Sequence, residues 1–306
     1  MRYKLLILIS SLILITSSNC WAKSSKGTAG VPFLKIGVGA RAVAMGEGFC
    51  ALADDITAVY WNPAGLTQLT KPEISTVYND WFEGIGHGFL GFAFPVSSKK
   101  AMGFNIIYLD AGKIPGYADS PDESTGNFSA RDTAFAFSYT SIITESICIG
   151  MTIKGIVQKI EQEEASSFAI DIGQLYQTPM EGLTLATVLQ NVGPKIKFAV
   201  EGDSLPLTLK LGSAYRFKEQ PLAVTCDLTK PIDNNWKINL GLELWFRNLV
   251  ALRGGFNSQI FKDFGTGITC GFGCNIKHYQ VDYAFVPYDE LGNTHRLAVT
   301  FRFDVR

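Results

Sequence analysis

The chain of 306 residues is predicted to be an all-β protein, a 14-stranded antiparallel transmembrane β-barrel with an N-terminal hatch inside its lumen. Three observations predict this fold. Apolar and polar residues alternate in short segments from residue 73 to residue 304, the links between segments are short and long in turn, and one face of the segments carries almost no charge. The alternative is a soluble β-sandwich, whose apolar faces would pack against a second sheet instead of lipid.

The chain begins with the pattern of a cleaved export signal, predicted at residues 1–22. Arg2 and Lys4 precede an apolar run, and Cys20-Trp21-Ala22 provides small residues before a cleavage site. No later apolar run reaches the roughly 18 residues of a spanning helix. We therefore expect an exported barrel in the outer membrane of a Gram-negative-type bacterium. Lipidation of Cys20 is the alternative, although Ser17-Ser18-Asn19 is a poor lipoprotein motif.

Composition and motifs argue against several classes of function. The formal net charge of −1 provides no basic surface for a nucleic acid. The chain contains no GxSxG motif and no CxxC or HxxxH pair, and Cys270 and Cys274 fall on the same strand face as apolar residues. We therefore predict a protein that is not an enzyme, has no catalytic residue, and binds no metal, cofactor or nucleic acid.

Fourteen segments of alternating polarity are predicted as strands. In the clearest one, from Trp236 to Arg247, every second residue is large and apolar, so the two sets lie on opposite faces of a strand. The charged residues fall on the second set of positions, which we assign to the lumen because Lys or Arg facing lipid costs roughly 2–4 kcal/mol. The segments are approximately 73–82, 85–95, 100–109, 131–141, 146–158, 166–178, 182–192, 206–217, 221–230, 235–246, 249–256, 264–274, 278–287 and 295–303.

The links between these segments alternate in length. Every second link is short, and most of the others are longer and polar, above all 110–130 and 159–165. Transmembrane barrels have short periplasmic turns at one rim and longer external loops at the other, and an even number of strands returns both termini to the periplasm. A β-sandwich gives no reason for this alternation.

Residues 23–70 are the predicted hatch. A barrel of 14 strands has a backbone radius of roughly 13–14 Å, which side chains alone do not fill. This stretch has little strand alternation, a helix-like patch at 51–61 and a turn at Asn62-Pro63-Ala64-Gly65. The predicted organisation is therefore a signal peptide at 1–22, a hatch at 23–70 and a barrel at 71–306.

Three runs in this stretch carry a resemblance to known families. Residues 37–46, 51–55 and 60–66 closely resemble the N-terminal signature of the PorV/PorQ family, and Asn62-Pro63-Ala64 is similar to the Asn-Pro-Ala turn in the hatch of FadL long-chain fatty acid transporters. The resemblance implies a fourteen-stranded outer-membrane barrel. The C-terminus departs from the pattern, since Phe303 is followed by Asp304-Val305-Arg306 whereas many outer-membrane proteins end on an aromatic residue.

The two families imply different functions. Resemblance to FadL implies a hatch that shifts to admit a hydrophobic molecule, and resemblance to PorV implies an accessory that holds exported proteins at the cell surface in type IX secretion. We favour hatch-gated binding or transport of a hydrophobic, fatty-acid-like ligand, because short turns leave little room for elaborate partner-binding loops. The alternative is a PorV-like accessory with secretion-system or exported cargo proteins as partners. Outer-membrane lipid surrounds the barrel in both cases.

Three groups of residues are candidate site residues. Arg41, Asp54 and Asp55 are expected to pair and fix the hatch to the wall, with helix capping by either aspartate as the alternative. The family resemblance makes Asn62, Pro63 and Ala64 a candidate gate turn. Luminal cations are candidates to hold a ligand carboxylate, with a self-neutralising ion network as the alternative. These cations are Lys210, Arg216, Lys237, Arg253 and Arg296.

Overall fold

The computed structural model describes residues 27–117, 124–198 and 201–304, so the predicted signal peptide and Cys20 lie outside the described residues. Fourteen strands form one closed antiparallel barrel, in which each strand pairs with its neighbours along the chain and the first strand pairs with the last to close the ring. The predicted fold class is confirmed. The barrel strands are β1 Glu73–Asp80, β2 Gly86–Ser97, β3 Lys100–Tyr117, β4 Ser124–Thr144, β5 Ile147–Ile160, β6 Glu163–Gln177, β7 Leu183–Val192, β10 Thr208–Arg216, β11 Leu222–Pro231, β12 Lys237–Phe246, β13 Val250–Asn257, β14 Ile268–Ile276, β15 Tyr279–Pro287 and β16 Asn293–Arg302.

The remaining elements are short. Strands β8 Ile196–Lys197 and β9 Gly202–Asp203 pair with each other in a separate sheet. The helices are α1 Ala40–Ala44, α2 Ala58–Trp61 and α3 Ser258–Phe264, and 3₁₀ turns lie at Pro32–Lys35, Pro63–Gln68, Phe82–Gly84 and Asp289–Leu291. Within the described ranges, no helix has both the length and the apolar character needed to cross a membrane.

The two faces of the wall differ as the alternation predicts. On β12, Ile238 and Leu242 are 46% and 45% exposed, whereas the residues that follow them, Asn239 and Glu243, are only 0% and 2% exposed. Two stacked sheets would bury the apolar set and expose the polar set, which is the reverse of what is observed. The apolar residues therefore face outward and the charged ones inward, and the sandwich alternative is excluded.

Two predicted long links are wrong, because most of their residues are strand. β3 and β4 continue to a backbone pairing of Tyr117 with Ser124, and the link between β5 and β6 is only Glu161 and Gln162. The sequence does not predict these extensions because residues 110–117 and 124–130 do not alternate between apolar and polar. We name the barrel end where β1 begins and β16 ends the terminal rim, and the opposite end the loop rim.

Residues 27–72, here called the N-terminal segment, lie against the inward-facing residues of the wall. Helix α1 contacts β13 to β16, and the 3₁₀ turn at 63–68 contacts β2 to β6. Large apolar residues of the segment, such as Phe49, Leu52 and Trp61, are at most 1% exposed. Only the end of the predicted helix-like patch is helical, as α2, because the Asp55 carboxylate binds Thr57 in a local turn that competes with helix.

Candidate functional site

The N-terminal segment approaches the wall backbone to backbone. At Gly46, which has a φ of +64°, a Cβ atom would lie 2.5 Å from the nitrogen of Phe256, so only glycine fits. Gly46 donates its N–H to Thr269 Oγ1 at 3.0 Å and accepts from Asn239 Nδ2 at 2.6 Å. Gly255 faces Gly46 in the same way, since a Cβ there would meet the Gly46 nitrogen. At this one contact, no side chain or ligand fits between the segment and the wall.

Asp227 on β11 is a second anchor of the N-terminal segment. Its Oδ2 accepts the backbone N–H groups of Phe49 and Cys50, both at 2.9 Å. Burial and the neighbouring Asp227 carboxylate raise the pKa of the Cys50 thiol well above its ordinary value, so the sulfur packs as a neutral group. Alternation predicts that Asp227 faces inward, but no sequence signal indicates that it binds backbone amides.

The predicted gate turn is tightly held. Asn62 is fully buried, its Oδ1 accepts from Ala64 N at 3.1 Å, and its Nδ2 donates to Cys50 O at 2.8 Å. On the wall, Cβ atoms at Gly150 and Gly173 would collide with residues 62–64, so the turn sits where the wall has no side chains. Asn62, Pro63 and Ala64 are therefore brought together with β5 and β6 as one packed contact.

The three predicted hatch charges form an ion network near the terminal rim. The Arg41 guanidinium lies 2.5 Å from Asp54, 3.0 Å from Asp55 and 2.7 Å from Glu243 on β12. Asp55 also accepts from Thr57 N at 2.9 Å within the local turn, whereas α2 itself has no side-chain cap, so the pairing of these charges is observed and capping of α2 by Asp55 is not. Burial opposes ionisation of Asp54, but the guanidinium groups of Arg41 and Arg216 outweigh it and lower its pKa from the ordinary value.

The five candidate luminal cations divide into two groups. Arg216 pairs with Asp54 at 2.8 Å, and Lys237 lies 3.4 Å from Glu47. Arg253 pairs with two carboxylates, those of Glu243 and Asp282, both at 2.7 Å. Lys210 and Arg296 are 6% and 1% exposed, yet neither has a carboxylate within 4.0 Å among the described residues. The self-neutralising network accounts for three of the five cations and leaves these two available.

A cavity of about 190 Å³ lies between the N-terminal segment and the links of the loop rim. The Lys210 Nζ atom faces into it, 4.4 Å from the ring centroid of Trp61 and 5.6 Å from that of Tyr60. Trp81 and Tyr288 line the same space from the loop rim. Two carboxylates also line the cavity, but Glu47 pairs with Lys237 and Asp233 pairs with Lys35. The cavity therefore combines aromatic walls with a Lys210 ammonium group that has no carboxylate within 4.0 Å among the described residues.

Comparison with known proteins identifies the family. A family model described as type IX secretion system protein PorV matches residues 21–232. The chain belongs to the PorV family. The matched region extends well beyond the N-terminal signature and includes the barrel strands as far as the end of β11. No curated protein matches the chain.

Solved structures share the barrel fold at low identity. The chain is similar to the Ralstonia pickettii toluene transporter TbuX, with a TM-score of 0.63 and 14% identity over 88% of this chain and 99% of that one. It is also similar to the monoaromatic hydrocarbon channel CymD, with a TM-score of 0.63 and 12% identity over 88% of this chain and 98% of that one. For a Pseudomonas aeruginosa FadL homologue, the TM-score is 0.59 and the identity 13%, over 92% of this chain and 99% of that one. Together with the family match, these similarities place the chain among outer-membrane β-barrels.

Proposed function

We propose that the chain is a non-catalytic outer-membrane protein that binds a hydrophobic small molecule with an acidic group, and that the N-terminal segment is the hatch controlling its passage. The observation that carries the proposal is Lys210, a buried ammonium without a carboxylate partner among the described residues, in an aromatic cavity. Relatives in fold described as toluene transporter and monoaromatic hydrocarbon channel support a hydrophobic ligand.

The cavity chemistry favours an amphiphile over a neutral hydrocarbon. The rings of Tyr60, Trp61, Trp81 and Tyr288 offer apolar surface to the ligand. An ammonium over an aromatic face gains about 0.5–2 kcal/mol, which stabilises Lys210 only in part. A carboxylate would add a charge-assisted hydrogen bond that a hydrocarbon lacks. Short fatty acids and aromatic acids both fit this description.

The N-terminal segment forms one wall of the cavity and therefore stands in the ligand's path. Trp61 donates Nε1–H to Val38 O at 2.8 Å, and Tyr60 donates its hydroxyl to Leu34 O at 3.1 Å. A ligand that continues toward the terminal rim must displace these rings and break these bonds. The ion network around Arg41 then acts as the latch that holds the rest of the hatch in place.

The test is calorimetric titration of the purified protein with benzoate and with its neutral counterpart benzamide. We expect benzoate to bind more tightly, and Lys210→Gln to lose at least about tenfold in benzoate affinity, which is about 1.4 kcal/mol. Benzamide affinity should stay unchanged in the variant. Lys218→Gln is the matched control, because Lys218 follows the same strand but is exposed at the terminal rim. Equal loss for both ligands, or no loss, contradicts a carboxylate at Lys210.

A second function, an accessory of type IX protein secretion, is favoured by the family match over residues 21–232. Its test is a strain that lacks this gene, complemented either by the wild-type chain or by Lys210→Gln. If the accessory role holds, both chains restore surface attachment of exported proteins, and both capture secretion-system or cargo proteins from solubilised outer membranes. If the deletion leaves surface attachment normal, this function is rejected.

A further inference from the structure

A row of three polar side chains crosses neighbouring strands on the inward face of the wall. Asn79 on β1 lies directly opposite His87 on β2 and directly opposite Arg296 on β16. Cβ atoms of directly opposed residues are roughly 4.5–5.5 Å apart, so the three side chains form one contiguous cluster. They are exposed at 0%, 2% and 1%.

This cluster has more hydrogen-bonding atoms than partners. Both side-chain atoms of Asn79, both ring nitrogens of His87 and the Nε of Arg296 have no hydrogen-bond partner in the described structure. The Arg296 guanidinium does donate Nη1–H to the carbonyl oxygen of Gly37, and it hydrogen-bonds the Tyr288 side chain. No carboxylate pairs with it among the described residues, whereas Arg302, six residues later on the same strand and face, pairs with Glu73.

The surroundings of the cluster are apolar, so solvent does not compensate its charge. Toward the terminal rim, the next inward-facing row consists of Val77, Phe89 and Ala298, which are opposed in register and at most 4% exposed. Toward the loop rim, Trp81, Phe82 and Tyr288 pack ring against ring. The Arg296 guanidinium carbon lies 5.3 Å from the centroid of Trp81. An uncompensated charge in such surroundings is strongly unfavourable.

We propose that Asn79, His87 and Arg296 bind one small anion, either a halide or a carboxylate group. Arg296 supplies a charged Nε–H donor, Asn79 an Nδ2–H donor and His87 a ring N–H donor, from three adjacent strands at one level. Buried water would satisfy these donors but would leave the positive charge unbalanced, and a cation would be repelled. The site does not depend on the proposed function, because none of the three residues lines the aromatic cavity.

The direct test is diffraction from crystals of the intact protein soaked in sodium bromide, measured at the bromine absorption edge. We expect an anomalous peak within hydrogen-bonding distance of Arg296 Nε. In solution, the unfolding temperature should be higher in sodium bromide than in sodium gluconate at equal ionic strength, because an ion that binds only the folded state stabilises it. Adding acetate separates the two sources, since a site that also takes carboxylates loses the bromide peak and a halide site keeps it.

Substitutions of Asn79, His87 and Arg296 test whether the difference in stability between bromide and gluconate arises at these residues. Arg296→Met should abolish the difference between bromide and gluconate, and Asn79→Leu and His87→Leu should each weaken bromide affinity by about tenfold, as loss of a hydrogen bond to a charged partner does. Arg302→Met, whose arginine is already paired, should keep the full response. If Arg296→Met does not fold, the Asn79 and His87 variants decide. No anomalous peak, together with equal stability in the two salts, overturns the proposal and leaves water as the occupant.

Discussion

Buried arginines have different surroundings in the two halves of the lumen. In the terminal half, Arg253 is 4% exposed and lies 2.7 Å from both Glu243 and Asp282. In the loop half, Arg296 is 1% exposed and has no carboxylate partner among the described residues. A buried ion pair is costly to break, whereas a lone buried charge is costly as it stands. In the terminal half the ion network continues through Glu243 to Arg41 and so binds the N-terminal segment to the wall, whereas the loop half retains the capacity to bind an anion.

The largest expected effect comes from removing the paired arginine of the terminal half, Arg253. Arg253→Met leaves Glu243 and Asp282 buried with fewer cationic partners, so we expect a loss of about 3–5 kcal/mol in the free energy of unfolding. Urea unfolding of the protein in lipid vesicles measures this loss. Arg296→Met in gluconate is the comparison, and we expect a clearly smaller loss because no carboxylate is left unpaired. Equal losses for the two variants would contradict the division into halves.

A smaller effect on the free energy of unfolding is expected at the uncharged backbone contact between the N-terminal segment and the wall. Gly255→Ala places a methyl group against the Gly46 nitrogen, and overpacking of this kind costs about 1–3 kcal/mol. The adjacent Gly254→Ala is a matched control, because nothing lies within 4 Å of its Cβ position. Urea unfolding midpoints compare the two. A Gly255 variant as stable as the Gly254 variant would show that the backbone contact does not hold the segment.

The strands and the faces of the wall could be predicted because lipid imposes a period of two on every segment that it contacts. The extensions of β3 to β6 could not be predicted, because their residues do not alternate between apolar and polar. The partners in the ion pairs could not be predicted from the sequence either. Arg41 and Glu243 are 202 positions apart, and they meet only because the N-terminal segment folds back onto β12. That Arg296 has no carboxylate partner in the described part of the chain depends on the register of β1, β2 and β16, which no local sequence pattern contains.

The Asn62 turn gives a third prediction, which sharpens the role of the terminal half. Asn62→Ala removes the acceptor for Ala64 N and the donor to Cys50 O, and loss of such a cap costs about 0.5–2 kcal/mol. We expect faster cleavage of the N-terminal segment by a protease added to the purified protein. Lys218→Gln is the control and should leave the cleavage rate unchanged, because Lys218 is exposed at the terminal rim and pairs with Glu181 on the wall. An Asn62 variant that is cleaved no faster than this control would show that the turn does not hold the segment.

The smallest effect is a pH dependence carried by Asp54. Its pKa in the folded protein lies below the ordinary value, since Arg41 and Arg216 outweigh the effect of burial. A lowered pKa means that the carboxylate stabilises the fold above its unfolded pKa of about 3.9, and that this contribution is lost as the pH falls through the folded value.

We therefore expect wild type to be more stable than Asp54→Asn at neutral pH, with the difference shrinking toward zero in acid below the ordinary pKa. Urea unfolding of both proteins across an acid series measures it, and taking the difference removes the titration of other carboxylates. A difference that grows as the pH falls would mean that Asp54 is protonated in the fold. In that case the latch of the terminal half depends on Glu243 and Asp55 for its negative charge.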